Sequence, residues 1–174
     1  MPKSSKKQIN EDDKKFLRVL QQNSGDSIER IAKKCGFSRQ KLWRMKKRLE
    51  KNKTIWGYSA IVDDEKLDRT RYMMLLKRSS QPAGDAINKI INLTVQKESG
   101  KIGVDILSGG YLHGRYDWVI IFTAKDIKNA KKLSEILIAE YPQLISEVEI
   151  MEYVFTLKEG GIVNPEIDKL KEFF

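Results

Sequence analysis

Cysteine and histidine are almost missing from this chain. Its 174 residues include one of each, Cys35 and His113. A lone cysteine excludes an internal disulfide and a multi-cysteine zinc site. A lone histidine leaves no His pair to hold a catalytic metal. No apolar stretch approaches 18 residues, so no membrane-spanning helix is expected. Met1 to Gln8 is rich in Lys and Ser but leads into no apolar signal core. It reads as a flexible basic tail, and the chain as cytoplasmic. No nucleophile–base pair or ligand cluster stands out, so neither catalytic residues nor a cofactor or metal is expected.

Positive charge is what the chain has in excess. The net charge is +9, with 40% apolar residues, enough for a core. Residues 1–71 hold 20 Lys+Arg against 10 Asp+Glu, whereas residues 72–174 hold 13 against 14. The excess therefore lies in the N-terminal part. Such asymmetry fits one module for a polyanion and another for something else. A membrane surface also attracts basic modules. No helix here backs a cationic face with Trp and Phe for insertion, so no membrane partner is expected.

The N-terminal part reads as three short helices. Asn10 caps the first, with Glu11, Asp12 and Asp13 in its first turn and Phe16, Leu17 and Leu20 on its buried face. Asn23 to Asp26 is a turn. Ser27 caps a second helix with Ile28, Ile31, Ala32 and Cys35 on one side, and Gly36 ends it in a left-handed conformation. Cys35 reads as a small buried residue. Ser38 caps a third helix. Residues 38–53 carry eight basic residues against one acid, Glu50. Leu42, Met45 and Leu49 fall on one face, while Gln40, Arg44, Lys47 and Lys51 form a stripe opposite. Two helices joined by a tight glycine turn, the second cationic, make a helix-turn-helix pattern spanning residues 9–54.

That pattern assigns roles, each beside a plainer one. Arg44 suits guanine and Gln40 adenine in the major groove; both could instead meet phosphate or water. Arg39, Lys41, Lys47 and Arg48 suit phosphates. Ser27 and Ser38 place helix amides where a phosphate could bind, or simply cap. Trp43, at the edge of the exposed arc, touches thymine methyl groups or sugar, or packs against the first helix.

Ile55 to Val62 reads as a strand, and residues 55–71 as linker strand and hinge. Residues 72–158 then follow the order β-α-β-β-α-β: strand 72–77, helix 86–95 with Ile87, Ile90 and Ile91 on one face, strand 104–112, strand 117–123, a helix capped by Asp126 and stopped by Pro142, and strand 145–157. This is the ferredoxin-like split βαβ unit, giving an α+β chain. Right-handed crossovers place both helices on one sheet face. The other face should be wet and alternate with polar residues. Tyr72 to Leu76, Trp118 to Phe122 and Ile150 to Phe155 are instead apolar at most positions. A second subunit is expected to cover that face, giving a homodimer that presents two helix-turn-helix units to palindromic half-sites about 34 Å apart or a multiple. His113, Gly114, Tyr116 and Asp117 mark either an effector or assembly site or a hairpin, with Gly114 supplying a positive φ and Asp117 bonding the turn backbone. His113 there is a candidate pH sensor or a solvated loop residue.

Several stretches resemble the leucine-responsive regulatory protein (Lrp/AsnC, feast/famine) family of archaeal type, over roughly residues 9–158. They are Ile9 to Leu20, Ile31 to Ser38, Arg48-Leu49-Glu50, Ile55 to Tyr58 with Ala60 to Asp63, and Gly114 to Asp117. The resemblance implies a helix-turn-helix (winged-helix-like) domain followed by a βαββαβ (RAM/ACT-like) domain for dimerisation and effector binding. It also implies promoter DNA as partner, assembly into dimers, tetramers or octamers, and a small effector, commonly an amino acid. The chain departs from the family pattern at Trp43, Met45 and Lys46, and in the last strand, where Glu149, Ile150, Met151 and Glu152 replace threonines. Residues 159–174 extend past the family's end. There Asn164 and Pro165 would open a helix with Ile167, Leu170 and Phe174 on its apolar side, packed on its own domain or bridging dimers. A sequence-specific, nucleoid-bound transcription regulator is one reading. An architectural DNA-compacting protein is another. A tetrapyrrole decarboxylase, an activity of some proteins resembling the family, is a third.

Overall fold

The structure, a computed structural model, describes residues 9–174. The basic tail expected over residues 1–8 lies outside the described residues. The chain forms two compact units. One comprises the chain up to Val62 together with Thr156–Phe174, and the other is Asp63–Phe155.

The first unit is built on α1 (Glu11–Gln22), α2 (Ile28–Cys35) and α3 (Arg39–Lys51). Each helix starts where a short polar side chain satisfies a free amide. The Asn10 side chain accepts from the Asp13 amide at 2.8 Å, and the Asp13 carboxylate accepts from the Asn10 amide in return at 3.4 Å. Ser27 accepts from the Arg30 amide and Ser38 from the Lys41 amide. Between α2 and α3 the chain turns at Gly36, φ +67°. The Gly36 and Phe37 amides then reach back to the carbonyls of Lys33 and Ala32. This closes the left-handed helix end that a Cβ would strain. Phe16, Leu20, Ile31, Ala32, Cys35, Leu42, Met45 and Leu49 form the core. Full burial of Leu42 and Leu49 contributes about 2 kcal/mol each.

Ile55 to Val62 is not a strand: it pairs with no described segment. The Thr54 and Ile55 amides fold back onto the Leu49 carbonyl, and Ile55 packs on the core, but Trp56 is 95% exposed. β-branched and aromatic residues made the segment strand-like, yet a ladder requires a partner edge. The C-terminal extension also differs from expectation. β5 (Lys158–Glu159) and β6 (Ile162–Val163) make a small hairpin around Gly160 and Gly161. A Cβ on Gly160 would meet Ile61 Cδ1 at 2.8 Å, and one on Gly161 would meet Gln22 Cγ at 3.5 Å. The extension thus packs on the helix-turn-helix unit. Its terminal helix is a 3₁₀ segment, Ile167–Phe173, rather than an α-helix. Asn164 does not cap it at the expected place. Its side chain accepts from the Glu166 amide and donates to the Thr156 carbonyl, both at 2.8 Å, which holds a turn there.

The second unit is a four-stranded antiparallel sheet in the order β2-β3-β1-β4, from β1 (Thr70–Arg78), β2 (Asp105–Tyr111), β3 (Trp118–Ala124) and β4 (Ile145–Glu152). Helices α4 (Ala86–Ile91), α5 (Thr94–Lys101) and α6 (Ile127–Glu140) complete the βαββαβ order. Tyr72, Met74 and Leu76 lie opposite Phe122, Ile120 and Trp118 on the covered face. They pack there against Val95, Ala130, Leu133 and Leu137 from the helices. The half-buried Asp64–Arg71 pair, at 2.6 Å, ties the entry segment to β1.

Several expectations fail in this unit. The single helix over 86–95 is broken: Leu93 turns left-handed at φ 53°. Val95 and Ser99 of α5 supply the buried contacts, while Ile87, Ile90 and Ile91 are exposed. Their helical spacing fits a buried face, but α4 has no buried residue. The last strand ends at Glu152, short of Leu157. On the uncovered sheet face, Met73, Leu75, Val119, Ile121 and Met151 form an apolar centre, as register places Met73 beside Ile121 and Met151. β4 alternates more than expected, presenting Glu147 and Glu149 there beside Met151.

Candidate nucleic-acid interface

Helix α3 sorts its own cations. Its core side carries Leu42, Met45 and Leu49, so neighbouring positions flank α1 and α2 and the rest face outward. On the α1 flank, Lys41 Nζ lies 2.6 Å from Asp12 and 4.1 Å from the Phe37 ring centroid. Two turns down the same flank, the Arg48 guanidinium bonds the carboxylate of Asp13, which is fully buried. On the α2 flank, Arg39 Nε lies 2.8 Å from Glu29. Lys46 sits 4.7 Å from the Tyr58 ring centroid and 3.9 Å from Glu50.

The outward arc is different. Gln40, Arg44 and Lys51 have no acidic partner among the described residues. Arg44 Nε only reaches its own helix, at the Gln40 carbonyl 3.4 Å away. Lys47 is loosely paired with Glu50 at 3.8 Å. Trp43 is 53% exposed and outside the buried core, so packing against α1 does not absorb it. The arc therefore offers an amide, a guanidinium, two ammonium groups and an indole on a helix braced from behind. A major groove admits such a helix, and Arg and Gln can each make paired hydrogen bonds to a base edge there. Ser27 and Ser38 perform the plainer role expected of them: each hydroxyl accepts from an amide at its helix start, Arg30 and Lys41 respectively.

Asp12, Asp13 and Glu29 belong to this surface although sequence reasoning gave them none of its roles. The first-turn acids had a sufficient local explanation in the α1 dipole. Their partners are 29 and 35 residues away, beyond any local spacing rule. Burial raises the Cys35 thiol above its ordinary pKa, in keeping with a core role.

The 113–117 turn lies in the other unit. His113 and Gly114 are exposed. Gly114 does not take a positive φ, contrary to expectation, and a Cβ there would meet nothing within 4 Å. The bend is wide enough for ordinary backbone angles, so no left-handed residue is needed. Asp117 bonds outside the turn with its side chain: its carboxylate accepts from the Arg78 amide of β1 at 2.7 Å. Its backbone pairs with Leu112 and Leu76. The Tyr116 hydroxyl donates to Glu149 of β4. That hydrogen bond raises the Tyr116 phenol above its usual pKa. The turn thus ties the start of β3 to the end of β1 through Asp117 and to the middle of β4 through Tyr116.

No protein-family model matches the chain. Solved structures do. An AsnC family transcriptional regulator from Agrobacterium tumefaciens superposes with a TM-score of 0.66 at 18% identity, covering 90% of this chain and 97% of that one. This is the AsnC/Lrp regulator fold. A transcriptional regulator of Neisseria meningitidis, solved in complex with L-Met, superposes at a TM-score of 0.64 and 17% identity, over 87% of this chain and 94% of that one. In sequence, the chain is 23% identical over 155 residues to an uncharacterized HTH-type transcriptional regulator of Pyrococcus furiosus, covering 88% of this chain and 96% of the relative. In AsnC/Lrp terms, α1–α3 are the helix-turn-helix part and the four-stranded unit is the second domain. Among the described residues no helix is long and apolar enough to cross a membrane.

Proposed function

We propose that this chain is a transcription regulator of the AsnC/Lrp family that binds double-stranded promoter DNA through α3. One observation carries this reading. The cations on the flanks of α3 are engaged by acids of α1 and α2, while Gln40, Arg44 and Lys51 face outward with no acidic partner among the described residues. A merely solvated basic helix needs no such bracing. Arg44 and Gln40 read base edges. Lys47, Lys51, Arg39, Lys41 and Arg48 meet phosphates, with Trp43 against sugar or thymine methyl groups.

The active species is a homodimer joined through the uncovered sheet face, able to assemble further, and it acts at the nucleoid. The apolar centre at Met73, Leu75, Val119, Ile121 and Met151 supports this. The 113–117 turn, with His113, Gly114, Tyr116 and Asp117, is the candidate site for an amino acid or other small effector. It is bonded to β1 and to β4, and a fold neighbour was solved with L-Met. An effector acts there only through different affinity for two arrangements.

The test is selection of bound fragments from random DNA, followed by titration of the selected site and of scrambled DNA over a range of salt. A palindromic site bound far more tightly than scrambled DNA, with affinity falling steeply as salt rises, is the expected result. Equal affinity for both would favour an architectural DNA-compacting protein. Absence of salt-dependent binding would overturn the reading.

A further inference from the structure

Asp13 is a fully buried carboxylate in the first turn of α1, an unusual place for an acid that only needs to complement a helix dipole. Two groups hold it: the Asn10 amide and the guanidinium of Arg48. Arg48 is itself half exposed, at 50% of its side chain. The pair is therefore asymmetric, with the acid inside and the base at the surface. A guanidinium has five N–H donors in a rigid plane and cannot lose its charge. Asp13 occupies one part of that plane and leaves other donors at the surface. Arg48 lies on the flank of α3 that adjoins the outward arc, one turn beyond Arg44.

We infer that Asp13 is a positioning residue for DNA binding: it holds the Arg48 guanidinium in one orientation so that its free edge clamps a backbone phosphate and sets the register of α3 in the groove. A free arginine on a helix surface samples many rotamers, and ordering it on binding costs affinity. A buried carboxylate removes that freedom beforehand. The capping box gives Asp13 its own fixed position, since it bonds the amide of its partner cap residue, Asn10. Lys41 and Asp12 lack this design, because both are exposed and Lys can rotate about its single charged head.

The inference rests on the DNA-binding reading, and the experiment separates the two. Affinity for the selected site is measured against salt for the wild type, Arg48→Gln, Arg48→Lys, Asp13→Asn and the double variant Asp13→Asn/Arg48→Gln, with thermal melting of each. Arg48→Gln should lower the slope of log affinity against log salt by about 0.9, the signature of one lost phosphate contact. Arg48→Lys should keep the slope and lose about three- to tenfold in affinity. Asp13→Asn should also keep the slope and lose a similar factor, but should cost nothing further in the Arg48→Gln background. Equal losses from Asp13→Asn in both backgrounds would show that Asp13 only supports folding. An unchanged slope in Arg48→Gln would remove the phosphate clamp. Each of these overturns the inference while wild-type DNA binding stands. A wild type without salt-dependent binding would overturn the underlying reading itself.

Discussion

Tyr58 shows how one side chain beside α3 is set by its neighbours. Its hydroxyl donates to Glu50 at 3.0 Å while Lys46 lies over its ring. Desolvation and then the Glu50 carboxylate push its phenol up to about 12 from an ordinary 10. The unfolded chain releases this proton near pH 10, whereas the folded one keeps it until about 12. The contribution to stability is whole below pH 10 and falls as pH rises to 12. Denaturant titrations across that range should show Tyr58→Phe losing less stability than the wild type; parallel losses would mean that Tyr58 is not coupled to folding. Arg44 and Lys51 lie two turns apart on the same arc and differ in chemistry. Arg44→Ala should cost about 1–3 kcal/mol on the selected site and relax preference at one base position, as read by competition with singly substituted DNA. Lys51→Ala should weaken all DNA alike and lower the salt slope by about 1. If the two variants behaved identically, Arg44 would be a phosphate contact and not a reader.

At the scale of elements, the helix-turn-helix was legible because its signals are local. Asn10, Ser27 and Ser38 cap as short polar side chains do, and Gly36 takes the left-handed angle that ends α2. Gly36→Ala should therefore destabilise the unit by about 1 kcal/mol through backbone strain alone. A Cβ there would meet only Lys15 Nζ, at 3.9 Å, so no clash adds to it. Chemical denaturation measures this, and an unchanged midpoint would show that the turn relaxes. The sequence of strands and helices along the chain was legible for a similar reason: apolar runs separated by turn residues mark strands wherever they pair. What misled was periodicity without knowledge of what lies opposite. Ile87, Ile90 and Ile91 have the spacing of a buried face, but the chain breaks at Leu93 and buries Val95 instead. Ile55 to Val62 has strand residues and no partner strand among the described residues. Asp13–Arg48 was not legible at all, because the spacing of 35 residues exists only once three helices have packed.

At the scale of the molecule, the proposed homodimer stands or falls with the uncovered sheet face. Met73 and Leu75 stand beside Ile121 and Val119 with no helix of their own unit above them among the described residues, since α5 and α6 both pack on the opposite face. If two such faces meet about a two-fold axis, each substitution enters the interface twice. Leu75→Lys puts a cation beside Val119 and Glu149. In the isolated unit that lysine is hydrated and folding is little affected, because Leu75 contributes nothing to the helix-covered core. In a dimer it is buried against apolar partners, and two unpaired or poorly paired charges cost about 3 kcal/mol or more, a hundredfold or greater loss in association. Sedimentation equilibrium should then find dimer for the wild type and monomer for Leu75→Lys at the same concentration, with similar circular dichroism melts. On DNA the variant should keep its affinity for a half-site and lose the extra affinity for the full palindrome, since only the link between the two copies of α3 is cut. A Leu75→Lys protein that stays dimeric and keeps the full-site affinity would place the interface elsewhere on the molecule.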